Sequence, residues 1–244
     1  MNILKNTFAI LALSIVCSCS KDDVAATPQA TANEPVNLLT KESYSVVGYP
    51  VTASYSYDSN KRFINSKSTG PGNAAATNRD FFYNADGTLD KIFDVVNQKI
   101  DGKYFYDADK RLIKKERRNG DDVYLYFYSG NQVTEKYAYN GVDKWIQIYT
   151  NNSDGNVSES KSYDQITAAN PNGLLSGTYI YTYDDKKSPY LAFPKEIQFP
   201  FINKNNLLTR KVNAEPVSGN SYEYNAKGYP TKQIANGDTR IFEY

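Results

Sequence analysis

The side chains able to do chemistry in this chain form a narrow set. Its 244 residues include no histidine, and its two cysteines are Cys17 and Cys19. Beyond residue 19 there is neither imidazole nor thiol. That removes Ser-His-Asp and Cys-His nucleophilic catalysis, His-ligated zinc, thiolate metal sites and structural disulfides together. What remains is 27 acidic residues, the lysines and serines, and 22 tyrosines. Two carboxylates facing each other across a cleft, roughly 5 to 10 Å apart, could hydrolyse a glycoside without histidine. Most acids here follow a tyrosine in a turn-like context or alternate with lysine, as cross-strand partners do. No pair stands out, so no catalytic residue is assigned and no cofactor is implied.

Two further patterns could bind a ligand. Asn84-Ala-Asp86-Gly87-Thr88-Leu89-Asp90 alternates oxygen-bearing side chains around a glycine, as a calcium loop does. It lacks the distal bidentate glutamate and falls where a tight turn is expected, and the turn is the better account. Tyrosines recur at every second position, as in Tyr124, Tyr126, Tyr128 and in Tyr179, Tyr181, Tyr183. Such residues share one face of a strand, where their first role is to stack and cover the sheet. Exposed together, they would make a platform for sugar rings or an extended peptide.

The element that must position these residues is a repeat. Tyr55-Ser-Tyr57-Asp58, Phe81-Phe-Tyr83-Asn84, Tyr104-Phe-Tyr106-Asp107, Tyr126-Phe-Tyr128, Tyr179-Ile-Tyr181-Thr-Tyr183-Asp184 and Tyr222-Glu-Tyr224-Asn225 share one form, with a degenerate copy at Tyr149 to Val157. Aromatics at i and i+2 suit a strand, Asp, Asn and Gly supply a tight turn, and the apolar-x-Lys segment that follows is the returning strand. Asn119-Gly120, Asn140-Gly141 and Asn236-Gly237 favour type I′ turns at the opposite strand ends. Tight turns at both ends define an all-β antiparallel meander. Seven copies give roughly fourteen strands, with Ile241 to Tyr244 adding a last one. A sheet of that size must curl, or form an open or closed barrel, to bury a face.

The pattern breaks at Lys67–Asn78, at Asp164–Ser176 and at Ser188–Pro216. The last holds the apolar run Tyr190-Leu-Ala-Phe193-Pro and Ile197-Gln-Phe199-Pro-Phe201-Ile, which suits packing against an open end or face of the sheet.

Residues 1–18 carry Lys5 and then the apolar run Phe8 to Val16, the parts of a removable secretory signal too short to span a bilayer. Val16-Cys17-Ser18-Cys19 resembles a bacterial lipobox, with an aliphatic residue at −3 and a small one at −1 from Cys19. Cys17 fits less well, because Val16 would then occupy the small position. The resemblance implies cleavage before Cys19, acylation of its thiol, palmitate-type chains and membrane attachment through that lipid. Ser20-Lys21-Asp22-Asp23 is similar to the export signal, here Lys21, Asp22 and Asp23, that sends Bacteroidota lipoproteins to the cell surface of the outer membrane. Residues 19–43 read as a lipidated cysteine and disordered tether, with Leu38-Leu39 as the one apolar pair. Residues 44–244 form the repeat domain.

The Tyr-x-Tyr-Asp-x-x-Gly-x-Leu form resembles the YD repeat of Rhs-type proteins. Residues 44–244 resemble a family of exported Bacteroidota lipoproteins of unknown function with a porin-like fold. The stretch Tyr181-Thr-Tyr183-Asp184-Asp185-Lys186-Lys187-Ser188-Pro189-Tyr190, followed by Asn203, Asn205 and Asn206, carries that likeness. It implies a fold and a location but no activity. Beyond Lys5 the basic and acidic residues balance, which gives no basis for nucleic-acid binding. Charges on both faces of Leu112–Arg118 and Val157–Lys161 argue against a lipid-facing band. The expected protein is a non-enzymatic module binding a glycan or protein. A purely structural envelope protein and a carboxylate glycoside hydrolase are the alternatives.

Overall fold

The turns at Asp58, Asn84, Asp107, Asn152 and Asn225 are built by a fixed set of bonds. The N–H of Asp58 donates to the carbonyl of Arg62, and the N–H of Lys61 donates to that of Asp58. The same pair closes the turns at Asn84, Asp107, Asn152 and Asn225. Oδ1 of Asp58 also accepts from the N–H groups of Asn60 and Arg62, and Asp107, Asn152 and Asn225 do the same two and four residues on. The residue three after the Asp or Asn stands at positive φ: 62° at Lys61, 88° at Gly87, 59° at Lys110, 85° at Gly155 and 76° at Gly228. Glycine suits that position because it has no Cβ to clash. At Asn84 the turn gains a variation, in which Asp86 Oδ1 accepts from the N–H and hydroxyl of Thr88. The oxygen-rich stretch at residues 84–90 is therefore a hairpin turn.

The computed structural model describes residues 37–46, 48–70, 76–199 and 203–244. The signal sequence, Cys19, Lys21, Asp22, Asp23 and most of the tether lie outside the described residues. In chain order the strands are β1 (Lys41–Val46), β2 (Tyr49–Tyr57), β3 (Phe63–Thr69), β4 (Thr77–Tyr83), β5 (Leu89–Asp94) and β6 (Lys99–Tyr106). They continue with β7 (Leu112–Arg117), β8 (Asp122–Ser129), β9 (Gln132–Tyr139), β10 (Val142–Asn151) and β11 (Val157–Asp164). The last are β12 (Leu174–Lys187), β13 (Asn205–Val212), β14 (Ser218–Tyr224), β15 (Pro230–Ala235) and β16 (Asp238–Glu243), with one helical turn, α1 (Lys195–Gln198), between β12 and β13. Every strand pairs antiparallel with its sequence neighbours, and β1 pairs with β16. The meander is thus a closed barrel of sixteen strands, two more than the roughly fourteen expected.

One missed strand is β1, whose first half, Lys41 to Ser43, falls in the residues 19–43 read as tether. Leu39 is fully buried, and Thr40 bonds the carbonyl of Glu243 through both its N–H and its hydroxyl. An isolated apolar pair carries little strand signal, and the strand that follows it pairs with one some 200 residues away.

A bulge follows each of these five turns. Tyr106 pairs with Leu112 but Phe105 pairs with Lys114, so Ile113 is the extra residue. Comparable shifts fall at Ser56/Tyr57, Phe82/Tyr83 and Glu223/Tyr224. In a regular strand Leu112 and Lys114 would share a face. The bulge lets Leu112 turn inward, 2% exposed, while Lys114 turns outward over the Phe105 ring.

Neighbouring hairpins are joined by a second recurring device. The β5–β6 ladder reaches Lys91 and Lys103 and stops, leaving the carbonyl of Leu89 beyond the last pair. Tyr106 reaches back across the seam and donates its hydroxyl to that carbonyl at 2.8 Å. The same clasp joins Tyr57 to Leu39 (2.8 Å), Tyr83 to Phe63 (2.5 Å), Tyr128 to Leu112 (2.7 Å), Tyr183 to Val157 (2.6 Å) and Tyr244 to Pro230 (2.8 Å). In the degenerate copy Asn151 stands in for the tyrosine, and its amide bonds the carbonyl of Asn131.

At the other end, Asn140-Gly141 and Asn236-Gly237 both hold positive φ on each residue, as type I′ turns require. Asn119-Gly120 lies in a longer turn in which Arg118 is also at positive φ.

Replacing Tyr106 with Phe keeps the ring but strands the buried Leu89 carbonyl. A loss of about 1 to 3 kcal/mol is expected in denaturant unfolding. Tyr49→Phe, at an exposed ring, is the control, and equal stability of the two variants would show the clasp to be dispensable.

Candidate functional site in the barrel lumen

Strand alternation points the first aromatic of each motif into the lumen, alongside the residue two positions before it. On β8 the inward residues are Asp122, Tyr124, Tyr126 and Tyr128, while Phe127 faces out and is 54% exposed. Three polar networks line the interior. Buried Glu135 accepts from Tyr126 (2.9 Å) and Tyr149 (3.1 Å). Burial pushes its carboxyl up and pushes the ammonium of neighbouring Lys115 down. Asp101 is gripped by Arg79 (2.9 Å) and Arg117 (3.4 Å). Glu42 accepts from Tyr55 (2.7 Å) and Tyr190 (2.8 Å) and faces Arg240 at 3.5 Å.

The segment between β12 and β13 closes the end that holds the tyrosine clasps. Phe193 packs on Tyr55 and Phe63 with ring centroids 4.7 and 4.4 Å apart, and Phe199 packs on Tyr126 at 4.9 Å. Ile197 joins the same core, and Glu196 is buried beside it. Phe193, Ile197 and Phe199 of the apolar run therefore plug the barrel.

A hydrogen-bonded hub pins the base of this plug. Asn206 donates from its side chain to Asp184 and to the carbonyl of Lys187, and Ser188 N–H donates to the carbonyl of Lys204. Asn156 Oδ1 accepts the N–H groups of Lys204 and Asn205, and Tyr224 donates to Asp184. Asp184, Lys187, Ser188, Lys204, Asn205 and Asn206 fall in the stretch from Tyr181 to Asn206, and together with Asn156 and Tyr224 they hold the plug.

At the opposite end stands an aromatic rim. Tyr124 lies 4.8 Å from Tyr137, and Tyr137 lies 5.3 Å from Trp145. Tyr137 donates to Asp122 at 2.7 Å, and Asp122 pairs with Arg118 at 3.2 Å. The bond to Asp122 pushes the Tyr137 hydroxyl up to about 12.

The six tyrosines proposed as a platform all face the lumen. Tyr126 holds Glu135, Tyr128 and Tyr183 are clasps, and Tyr181 bonds Ser160 at 3.1 Å. Tyr179 covers Gly177, where a Cβ would come within 3.1 Å of its ring. Tyr124 belongs to the rim. Sequence reasoning missed Glu42, Glu135, Tyr137, Trp145 and Arg240. Trp145 could have been found as the one tryptophan, but the others gain meaning only from cross-barrel partners. Glu135, Asp101, Glu42 and Asp122 are each held by named donors.

No protein-family model and no curated protein sequence matches the chain. Among solved structures, a porin-like protein from Bacteroides uniformis superposes with a TM-score of 0.52 at 14% identity, over 84% of this chain and 96% of that one. The likeness establishes the porin-like β-barrel fold. The TcdB2-TccC3-TEV structure matches with a TM-score of 0.36 at 9% identity, over 79% of this chain and 10% of that one.

The clasps make stability depend on alkaline pH. Burial pushes the hydroxyls of Tyr83 and Tyr128 up to about 12, and those of Tyr106 and Tyr126 higher still. A hydroxyl raised above its unfolded value of about 10 contributes in full below that pH and loses its contribution as pH climbs through the folded value. Stability is expected to hold flat up to about pH 10 and fall between about 10 and 12, with tyrosinate absorbance delayed until unfolding. Full tyrosinate absorbance near pH 10 with circular dichroism unchanged would contradict this.

Proposed function

We propose that the chain is an outer-membrane lipoprotein, acylated at Cys19 and exported by Lys21, Asp22 and Asp23 to the cell surface. Its barrel is a non-enzymatic module that binds a glycan or protein at the aromatic rim. The observation that carries this reading is the asymmetry of the lumen. One end is filled by the chain's own Phe193, Ile197 and Phe199, while the other presents Tyr124, Tyr137 and Trp145 around partnered charges. Stacked rings beside polar groups suit a sugar ring or a peptide side chain.

The outer wall supports attachment by lipid rather than by the barrel itself. Outward-facing ion pairs join Lys114 to Glu116 (2.9 Å), Lys136 to Asp143 (2.7 Å), Lys161 to Glu159 (3.0 Å) and Lys232 to Glu223 (2.8 Å). A lipid-facing wall carries an apolar band about 25 Å tall. Most of these strands are six to eight residues long, short of the roughly nine to eleven a spanning strand needs.

A structural envelope role is the second reading, favoured by the number of tyrosine hydroxyls already bonded inside. The full-length lipidated protein in detergent micelles, applied to glycan and peptide arrays, separates the two. Retention that Trp145→Ala abolishes and Phe127→Ala preserves supports the rim, and silence on both arrays favours the structural reading. Hydrolysis of a bound glycan, lost on substituting a lumenal carboxylate, would move the protein to the enzymes. For the anchor, Cys19→Ser is expected to end incorporation of labelled palmitate and release the protein from the membrane fraction. Cys17→Ser should do neither, and the reverse pattern would place the lipid on Cys17.

A further inference from the structure

The aromatic rim is part of a longer row that runs across four neighbouring strands. Lys115 on β7 pairs with Tyr124 on β8, Tyr124 pairs with Tyr137 on β9, and Tyr137 pairs with Trp145 on β10. Directly paired residues lie on the same face of a sheet, so the Lys115 ammonium projects into the same mouth as the three rings. None of the four side chains is fully buried.

Lys115 differs from the arginines that line or edge the lumen. Arg79 and Arg117 share Asp101, Arg118 takes Asp122, and Arg240 takes Glu42. The Nζ of Lys115 lies 4.2 Å from the centroid of the Tyr124 ring, and among the described residues it has neither a hydrogen-bond acceptor nor an ion-pair partner. The lumenal carboxylates on this side are engaged elsewhere. Glu135 gives one oxygen to Tyr126 and the other to Tyr149, Asp101 sits between its two arginines, and Asp94 accepts from the backbone and the side chain of Asn97. Burial pushes the ammonium of Lys115 down, with Glu135 attracting it and Arg117 repelling it. A charge drawn out of water without an acceptor is costly, and an anion entering by the mouth removes that cost.

The rings decide what carries the anion. Tyr124 and Tyr137 are tilted by 32° at 4.8 Å, and Tyr137 and Trp145 by 34° at 5.3 Å. Their faces thus follow the curve of the wall across three strands, roughly 10 Å at about 4.8 Å per strand. Apolar faces in succession suit successive sugar units. An extended peptide would instead seek a free sheet edge for its backbone, and the closed barrel offers none.

We infer that the rim takes a negatively charged glycan, with sugar units stacked on Tyr137 and Trp145 and an acidic unit presenting its carboxylate to Lys115, an assignment that rests on the rim being the binding mouth.

The test is titration calorimetry on the full-length lipidated protein in detergent micelles. The probes are trigalacturonate and a hyaluronan tetrasaccharide, each beside its carboxyl-reduced counterpart, and a hexaglutamate peptide. The acidic sugars are expected to bind about tenfold or more tighter than their neutral counterparts, the equivalent of one charge-assisted hydrogen bond. Their binding should weaken as sodium chloride rises, while that of the neutral sugars holds. Lys115→Met keeps an apolar stem over Tyr124 and removes the charge, so acidic affinity should fall to the neutral level with the melting temperature unchanged or raised. Trp145→Ala should weaken both kinds of sugar and Phe127→Ala neither. If Lys115→Met lowers the melting temperature, the salt dependence of the unaltered protein decides in its place. Neutral sugars that bind as tightly as acidic ones, or acidic binding indifferent to salt and to Lys115→Met, overturn the anion and leave the rim standing. Tighter binding of hexaglutamate than of either acidic sugar overturns the glycan in favour of an acidic peptide, and no binding by any probe overturns the inference together with the rim.

Discussion

The barrel depends on how each hairpin is fastened to the next. Within a hairpin, the turn and its Asp or Asn satisfy the backbone locally. Between hairpins, the ladder stops short at the plugged end and leaves a carbonyl facing away from water. Leu39, Leu89 and Val157, which carry three of these carbonyls, are fully buried. A buried carbonyl without a donor is costly, so each seam needs a donor that reaches across it. The tyrosine hydroxyl is long enough to do so while its ring fills the core. This accounts for the abundance of tyrosine better than a binding platform does, since phenylalanine would pack but could not donate.

The bulge and the clasp also explain why the plug fits. By turning Leu89, Leu112 and their equivalents inward, the bulges build an apolar floor at one end, on which Phe193 and Phe199 rest. Further along the strands the lumen becomes polar, with Glu135, Asp101 and Glu42 each bound by several donors. A buried carboxylate is tolerated when its lone pairs are engaged, and here tyrosine hydroxyls and arginines engage them. The lumen is therefore graded from apolar at the plug to charged and aromatic at the rim. Such grading is what separates a closed cup from a simple packed core.

Much of this was legible in the sequence because it is local. The hairpins, the turn chemistry and the type I′ turns at Asn140 and Asn236 follow from residues within four positions of one another. The apolar run after Ser188 was legible as a packed segment, since eight aromatic and aliphatic side chains so close together must be covered. What could not be read was set by long-range pairing. Leu39 looked like tether because its carbonyl is bonded by Tyr57 and its neighbour Thr40 by Glu243, both beyond local reach. The bulges reverse strand parity, so alternation alone could not say whether Lys114 or Leu112 faces inward. Asn206 read as part of a recognisable stretch, but its place beneath the plug appears only once Asp184 and Lys187 are seen to hold its nitrogen.

Closure through β1 gives the molecule a direction. Leu39 is clasped by Tyr57, and Asn37 accepts from Lys227 in the turn at Asn225, so the chain enters the barrel at the plugged end. β1 then runs toward the type I′ end, where the rim opens. A lipid on Cys19, as proposed, would therefore be joined to the end of the barrel that the chain has filled with its own side chains. The end that keeps its rings is the one farther along the strands from that attachment. Plug, entry point and rim thus form one arrangement, in which the β1–β16 pairing that closes the wall also fixes the mouth at which the chain enters.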